Sequence, residues 1–207
     1  MARMQAQIRS YFATPVVIAT LPDAALLNGE PEADHPGARA QGVQHGNLGN
    51  WQSSGDVEEW GEPPARRLLE AARELATRMT SDRAGKPVRI VWKTNGRANV
   101  NRRNHGNEFH THPGVYWSGT CYVDHGGIGD EPSLGGEFEM QDPRGVAPAM
   151  YAPLLGFAVP GGQSAGASEL IRPKSGQMAL FPSWTLYAVR PCRGERERIS
   201  MAFNFGL

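Results

Sequence analysis

Cysteine is almost missing from this chain. Cys121 and Cys192 are the only two among 207 residues, and no C-x-x-C occurs. That argues against a disulfide framework and against a thiolate zinc site. A charge excess is missing too: lysine plus arginine and aspartate plus glutamate number 21 each, for a net charge of zero. There is thus no electrostatic reason to expect nucleic acid or an anionic membrane as partner. No apolar run approaches the roughly eighteen residues of a membrane span. Met1 to Phe12 carries Arg3, Gln5, Gln7 and Arg9 and has no apolar segment, so it does not read as a signal peptide. A soluble, cytoplasmic protein is expected.

Turn chemistry is what the chain has in quantity. Gly 25 and Pro 16 favour a turn-rich, mainly β architecture over a helix bundle. The length suits one domain, 1–207, with a sizeable core. Ser10 to Leu21 is a short apolar run that predicts an opening strand, closed by Pro22 and Asp23. Asn28 to Asn50 reads as loop, with His35 and His45 in solvent, and Gly49 to Ser54 places Trp51 in a polar turn. The helical period is clearest over Glu62–Arg83, where Leu68, Leu69, Ala72, Leu75 and Met79 form one apolar stripe. Pro63 and Pro64 fit its first turn, and Arg78, Arg83 and Gly85 suit its end. Beyond Pro87 the period becomes strand-like. Val88–Trp92, Val115–Val123, Gly136–Met140, Met178–Phe181 and Ile199–Phe205 are candidate strands, with turns at Asp142–Gly145 and Pro160-Gly161-Gly162. Many short strands at this spacing predict a sandwich or barrel with a flanking helix.

Two constellations carry chemistry. In an extended strand, residues two apart share a face, so His110 and His112 would aim both imidazoles one way and could hold a divalent transition metal. By itself the pair also fits two exposed loop histidines. Near the C-terminus the same alternation puts Arg198 and Ser200 on one face. An arginine fork beside a hydroxyl is suited to gripping a carboxylate through charge-assisted, bidentate hydrogen bonds. A surface arginine in the Arg193–Arg198 charge run is the plainer reading. Trp117, Tyr122, Trp184 and Phe203 fit either core or pocket wall, and Trp51 and Asn107 have no evident role.

Three segments stand in order: F-H-T-H-P-G-x-x-W-S-G-x-x-Y-V at 109–123, F-P-S-W at 181–184 and R-I-S-M-A-F-N at 198–204. Together with Gly135-Gly136-Glu137 and Asp142-Pro143-Arg144, they resemble a bacterial branch of the 2-oxoglutarate- and iron(II)-dependent oxygenases, from about Trp51 to the C-terminus. The resemblance implies a double-stranded β-helix (jelly-roll, cupin-like) core. It also implies that Arg198 and Ser200 bind the distal carboxylate of 2-oxoglutarate. A 2-His-1-carboxylate triad usually holds the iron in such enzymes.

The chain departs from that pattern twice. His112 stands where H-x-D or H-x-E would supply a carboxylate, and Tyr187 stands where this branch reads F-P-S-W-x-x-H. Three readings stay open. A phenol has an ordinary pKa of ~10, which a bound cation lowers, so His110, His112 and Tyr187 could form an unusual site. Alternatively His105 or His125 enters from a flanking loop. In the third reading metal binding is weakened or lost, leaving a non-catalytic binding protein. Glu108 and Asp124 could supply an oxygen only across a bulge. The expected function is a dioxygenase that hydroxylates or desaturates a small molecule, using 2-oxoglutarate and iron, with copper or zinc also compatible with the donors. An oxygenase independent of 2-oxoglutarate, with Arg198 holding the substrate's own carboxylate, is the weaker option. Substrate and oligomeric state are not encoded legibly.

Overall fold

Short segments between glycine and proline turns build two antiparallel sheets. The computed structural model describes residues 12–21, 47–53, 55, 57–61, 63–146, 150–158, 166 and 168–207. His35, His45, the Pro160-Gly161-Gly162 turn and the start of the Ser10–Leu21 run lie outside the described residues. Among the described residues the strands are β1 (Val17–Thr20), β2 (Asn47–Leu48), β3 (Trp51–Gln52), β4 (Lys93–Asn101), β5 (Gly106–His110) and β6 (Trp117–Asp124). They continue as β7 (Phe138–Gln141), β8 (Ser168–Ile171), β9 (Gln177–Pro182), β10 (Tyr187–Val189) and β11 (Arg198–Gly206). One sheet runs β1-β9-β6-β11-β4-β3 and the other β2-β5-β10-β7-β8. This is the double-stranded β-helix expected from the sequence.

Helices α1 (Val57–Trp60) and α2 (Pro63–Arg78) cover the outer face of the larger sheet. Leu68, Leu69, Ala72, Leu75 and Ala76 of α2 are buried against Trp117, Met178, Leu180, Met201, Phe203 and Phe205. Burying each leucine stabilises the fold by roughly 1.5–3 kcal/mol. Gly96 permits the close approach: a Cβ there would stand 2.6 Å from Val57 and 3.1 Å from Leu69. Indole donors fix the end of α2, with Trp92 Nε1 on Thr77 and Trp117 Nε1 on Thr80, both at 2.9 Å.

Several boundaries differ from the sequence expectation, each for a physical reason. The helix ends at Arg78, short of Arg83, because Asp82 captures the N–H groups of Ala84 and Lys86 in a competing turn. Val88–Trp92 is not a strand: Val91 is exposed, and Ile90 and Trp92 pack on the helical core. The strand follows instead as polar β4. The Gly136–Met140 expectation starts late, at Phe138, because Gly135 and Gly136 adopt φ of 71° and 79°, outside the extended region. The Asp142–Gly145 turn forms as expected, with Gly145 N–H donating to Asp142 O at 3.0 Å. No helix among the described residues is long and apolar enough to cross a membrane.

Alternation along β11 connects the fold to its interior. Met201, Phe203 and Phe205 belong to the core under α2, whereas Arg198, Ser200, Ala202 and Asn204 line a cavity between the sheets. In β4, Asn95, Arg97, Asn99 and Asn101 share the same cavity face.

Candidate active site

The cavity measures about 500 Å³, within the range of small-ligand sites. His110, the last residue of β5, is the direct register partner of Tyr187, the first of β10. His112 has left the strand: its N–H donates to Ser183 O at 2.9 Å, and Pro113-Gly114 turns the chain immediately after it. The expectation that His110 and His112 share a strand face is therefore corrected, because proline ends the ladder there. The two rings converge nonetheless. Tyr187 Oη lies 3.0 Å from His110 Nε2 and 2.8 Å from His112 Nε2.

Hydrogen-bond roles follow from one carbonyl. His110 Nδ1 is 2.7 Å from Glu108 O, which only accepts, so Nδ1 carries the proton. In a neutral imidazole Nε2 is then an acceptor, and the Tyr187 hydroxyl donates to it. With its one proton committed, Tyr187 accepts from His112 Nε2–H. Burial, followed by the neighbouring His110 and Arg97, pushes His112 down to about 4, so it stays neutral at ordinary pH. Tyr187 is buried among Phe138 and Phe181, at ring separations of 4.7 and 5.0 Å, and that burial pushes its phenol above the ordinary range.

The donors fit a transition metal. Imidazole–metal distances of roughly 2.0–2.1 Å put neighbouring donors of an octahedral site about 3 Å apart, and Tyr187 Oη stands at about that separation from each imidazole Nε2. Binding through all three would expel the phenolic proton and move the His112 proton to Nδ1. Among the described residues no three His, Cys, Asp or Glu side chains cluster for a metal, so the tyrosine is what makes a third donor. Neither His105 nor His125 reaches the cavity wall: His105 Nδ1 accepts from Arg102 N–H, and His125 Nδ1 from the N–H groups of Gly127 and Gly129. Asp124 faces Arg196 at 3.2 Å, while Glu108 does line the cavity.

Arg198 is 2% exposed and donates through Nη1 to Gly136 O at 3.0 Å. Among the described residues its Nε, Tyr122 Oη and Asn101 Nδ2 are buried without a hydrogen-bond partner, and all three residues line the cavity with Ser200. Unsatisfied buried donors cost about 1–3 kcal/mol each, and a carboxylate is the acceptor that would satisfy a cluster around a guanidinium.

Trp117 and Phe203 are core, Trp184 is 55% exposed, and Tyr122 alone of the four aromatics lines the cavity. Trp51 pairs with Val100 at the sheet edge. Asn107 is on the wall, donating to Asn47 Oδ1 at 2.7 Å. Sequence reasoning missed Gln52, Asn95, Arg97, Asn99 and Asn101. The signal was a period of two in polar residues, N-x-R-x-N-x-N over 95–101, which carries no apolar face to announce a strand.

A family model described as "Putative 2OG-Fe(II) oxygenase" matches residues 97–204. No curated protein matches the chain. Among solved structures, a prolyl-4-hydroxylase from Pseudomonas putida is similar at 15% identity and a TM-score of 0.60, over 92% of this chain and 91% of that one. HygX from Streptomyces hygroscopicus, with nickel and 2-oxoglutarate bound, is similar at 12% identity and a TM-score of 0.58, over 93% and 83%. The viral collagen prolyl hydroxylase of Paramecium Bursaria Chlorella virus-1, in its 2-oxoglutarate complex, gives 13% and 0.55, over 93% and 96%. At such identities the structural likeness speaks for the fold. The family match spans β4 to β11, more than half of the chain. The chain belongs to the 2-oxoglutarate- and iron(II)-dependent oxygenases, a family of oxidoreductases.

Proposed function

We propose that this oxygenase hydroxylates or desaturates a small molecule at a metal held by His110, His112 and Tyr187, with 2-oxoglutarate anchored by Arg198 and Ser200. The observation that carries the reading is the meeting of the Tyr187 hydroxyl with both imidazoles on the wall that Arg198 also lines. Iron, when bound, supplies the oxygen chemistry of the family; copper is the alternative that this donor set accommodates. The protein's part is orientation. Glu108 O holds His110 Nδ1–H and so directs the Nε2 lone pair into the site. Arg198 and Ser200 would fix the distal carboxylate, and Phe138 and Phe181 shield one side of Tyr187 from water. HygX, whose structure is also solved with hygromycin B bound, supports a small polar substrate. The non-catalytic reading rests on Tyr187 alone; two imidazoles and a buried arginine around one cavity argue against it.

Metal analysis after anaerobic iron(II) and 2-oxoglutarate loading, and an absorption spectrum taken once air has oxidised the bound iron to iron(III), test this proposal. Stoichiometric iron with a visible tyrosinate band is expected, as is loss of 2-oxoglutarate turnover in His110→Ala. Retained turnover in that variant would overturn the metal assignment. Absence of any metal uptake would return the binding-protein reading.

A further inference from the structure

Two arginines line the cavity, and the co-substrate reading uses only Arg198. Several other arginines among the described residues meet acids: Arg73 meets Glu58 at 2.6 Å, Arg102 meets Glu197 at 2.7 Å, and Arg190 meets Glu139 at 2.7 Å. Arg97 does not. Its Nε donates to Asn95 Oδ1 at 3.3 Å and its Nη1 to Gln52 Oε1 at 3.1 Å. Gln52 is in turn fixed by Asn99, through Nε2 on Oδ1 at 2.8 Å. These acceptors are neutral amides. They orient the guanidinium through Nε and Nη1 without cancelling its charge. Glu108 is the one carboxylate side chain on the described wall. Asn95, Asn99, Asn101, Asn107 and Asn204 line the same cavity with groups that both donate and accept.

We infer that the substrate of this site carries a carboxylate, and that Arg97, held by Gln52 and Asn95, is the residue that receives it. The inference rests on the co-substrate reading, in which 2-oxoglutarate occupies Arg198 and leaves Arg97 for the second reactant. A planar guanidinium with two donors steadied by amides presents its remaining N–H groups as a fork that matches a carboxylate. The amides along β4 and β3 would hold the polar remainder, so the favoured class is a small polar carboxylic acid, such as an acylated amino acid. Arg97 lines the same cavity as His110 and His112, so the held end of the substrate would lie in the space that the metal donors face.

The test uses the iron(II) protein under anaerobic conditions. Binding of 2-oxoglutarate is recorded first by calorimetry. The protein is then titrated with N-acetylglycine, N-acetylalanine, N-acetylserine and N-acetylphenylalanine, and separately with the primary amide of each. At least one acid is expected to bind about tenfold more tightly than its amide. That preference should vanish in Arg97→Gln and partly return in Arg97→Lys, with thermal melting checking that both variants fold. Equal binding of acids and amides to the wild-type protein, or an undiminished acid preference in Arg97→Gln, overturns the inference. The titrations are run whether or not 2-oxoglutarate binds. Failure of the co-substrate reading then shows as missing 2-oxoglutarate binding, and failure of this inference as missing acid preference.

Discussion

Tyr187 and His110 oppose each other across the β5–β10 ladder, and 3.0 Å separates the phenol oxygen from the imidazole Nε2. In the neutral imidazole, with His110 Nδ1–H committed to a carbonyl, the phenol is the donor in that bond. A metal at this point therefore competes with a proton on a buried phenol whose ionisation burial opposes. Replacing the phenol by an imidazole removes that competition. Tyr187→His is expected to bind iron(II) more tightly than wild type and to lack the tyrosinate band. Tyr187→Phe should weaken binding about tenfold or more, on the scale of disturbed ligand shells. Anaerobic iron(II) titration by calorimetry reads the affinities, and absorption after air oxidation reads the band. Unchanged affinity in Tyr187→Phe would remove the tyrosine from the donor set.

Arg198 is the buried counterpart at the other end of the reading. A lysine keeps the charge and loses the fork, along with the bond from Nη1 to Gly136 O. Hydrogen bonds to charged groups are worth about 1.5–3 kcal/mol, so Arg198→Lys should raise the KM for 2-oxoglutarate roughly 10- to 100-fold. Steady-state succinate release, with melting as a control on folding, measures it. A KM within a factor of about two of wild type would assign the co-substrate carboxylate elsewhere.

Legibility in the sequence followed the apolar pattern. β11 was readable because Ile199, Met201, Phe203 and Phe205 alternate with polar partners, and the same alternation placed Arg198 and Ser200 together on the cavity wall. β4 was not, since its cavity face is Asn95, Arg97, Asn99 and Asn101 and its other face has Gly96 where the helices pack. A strand that lines a polar cavity loses the period by which strands are found. His110 and His112 were paired for a local reason that fails at Pro113, yet tertiary contact with Ser183 and Tyr187 restores their convergence. Tyr187 was found by counting from F-P-S-W, whereas Arg97 needed β3 beside β4 before its neutral partners were visible.

Gly119 tests the packing under the cavity. It lies in β6, opposite Phe203 of β11, and an added Cβ would meet that ring and stand 2.6 Å from Ala179 O. Neither neighbour can swing away, because Phe203 is fully buried and Ala179 O belongs to β9 in the same sheet. Overpacking of this kind costs typically 1–3 kcal/mol. Gly119→Ala is therefore expected to lower stability by about that amount in a urea titration. Wild-type stability in this variant would mean that β6 and β11 are not packed as described.

Asp142 sets an acid limit on the turn after β7. Its carboxylate receives Arg144 Nε at 2.9 Å and Nη2 at 2.6 Å, together with the N–H groups of Arg144 and Gly166. The Arg144 side chain foremost, then these backbone donors, hold it at about 2 against an ordinary 3.8. A depressed carboxylate stabilises the fold while it is ionised. The contribution is fully present above the unfolded value near 4 and is lost as pH falls toward 2, and the difference corresponds to about 2 kcal/mol. Asp142→Asn removes the charge at every pH. Urea unfolding of both proteins should show a stability gap that is constant above about pH 5 and closes between about pH 4 and pH 2. A gap that stays the same down to pH 2 would mean that the ionised carboxylate contributes no more than its neutral amide, and that Arg144 does not bind it in solution.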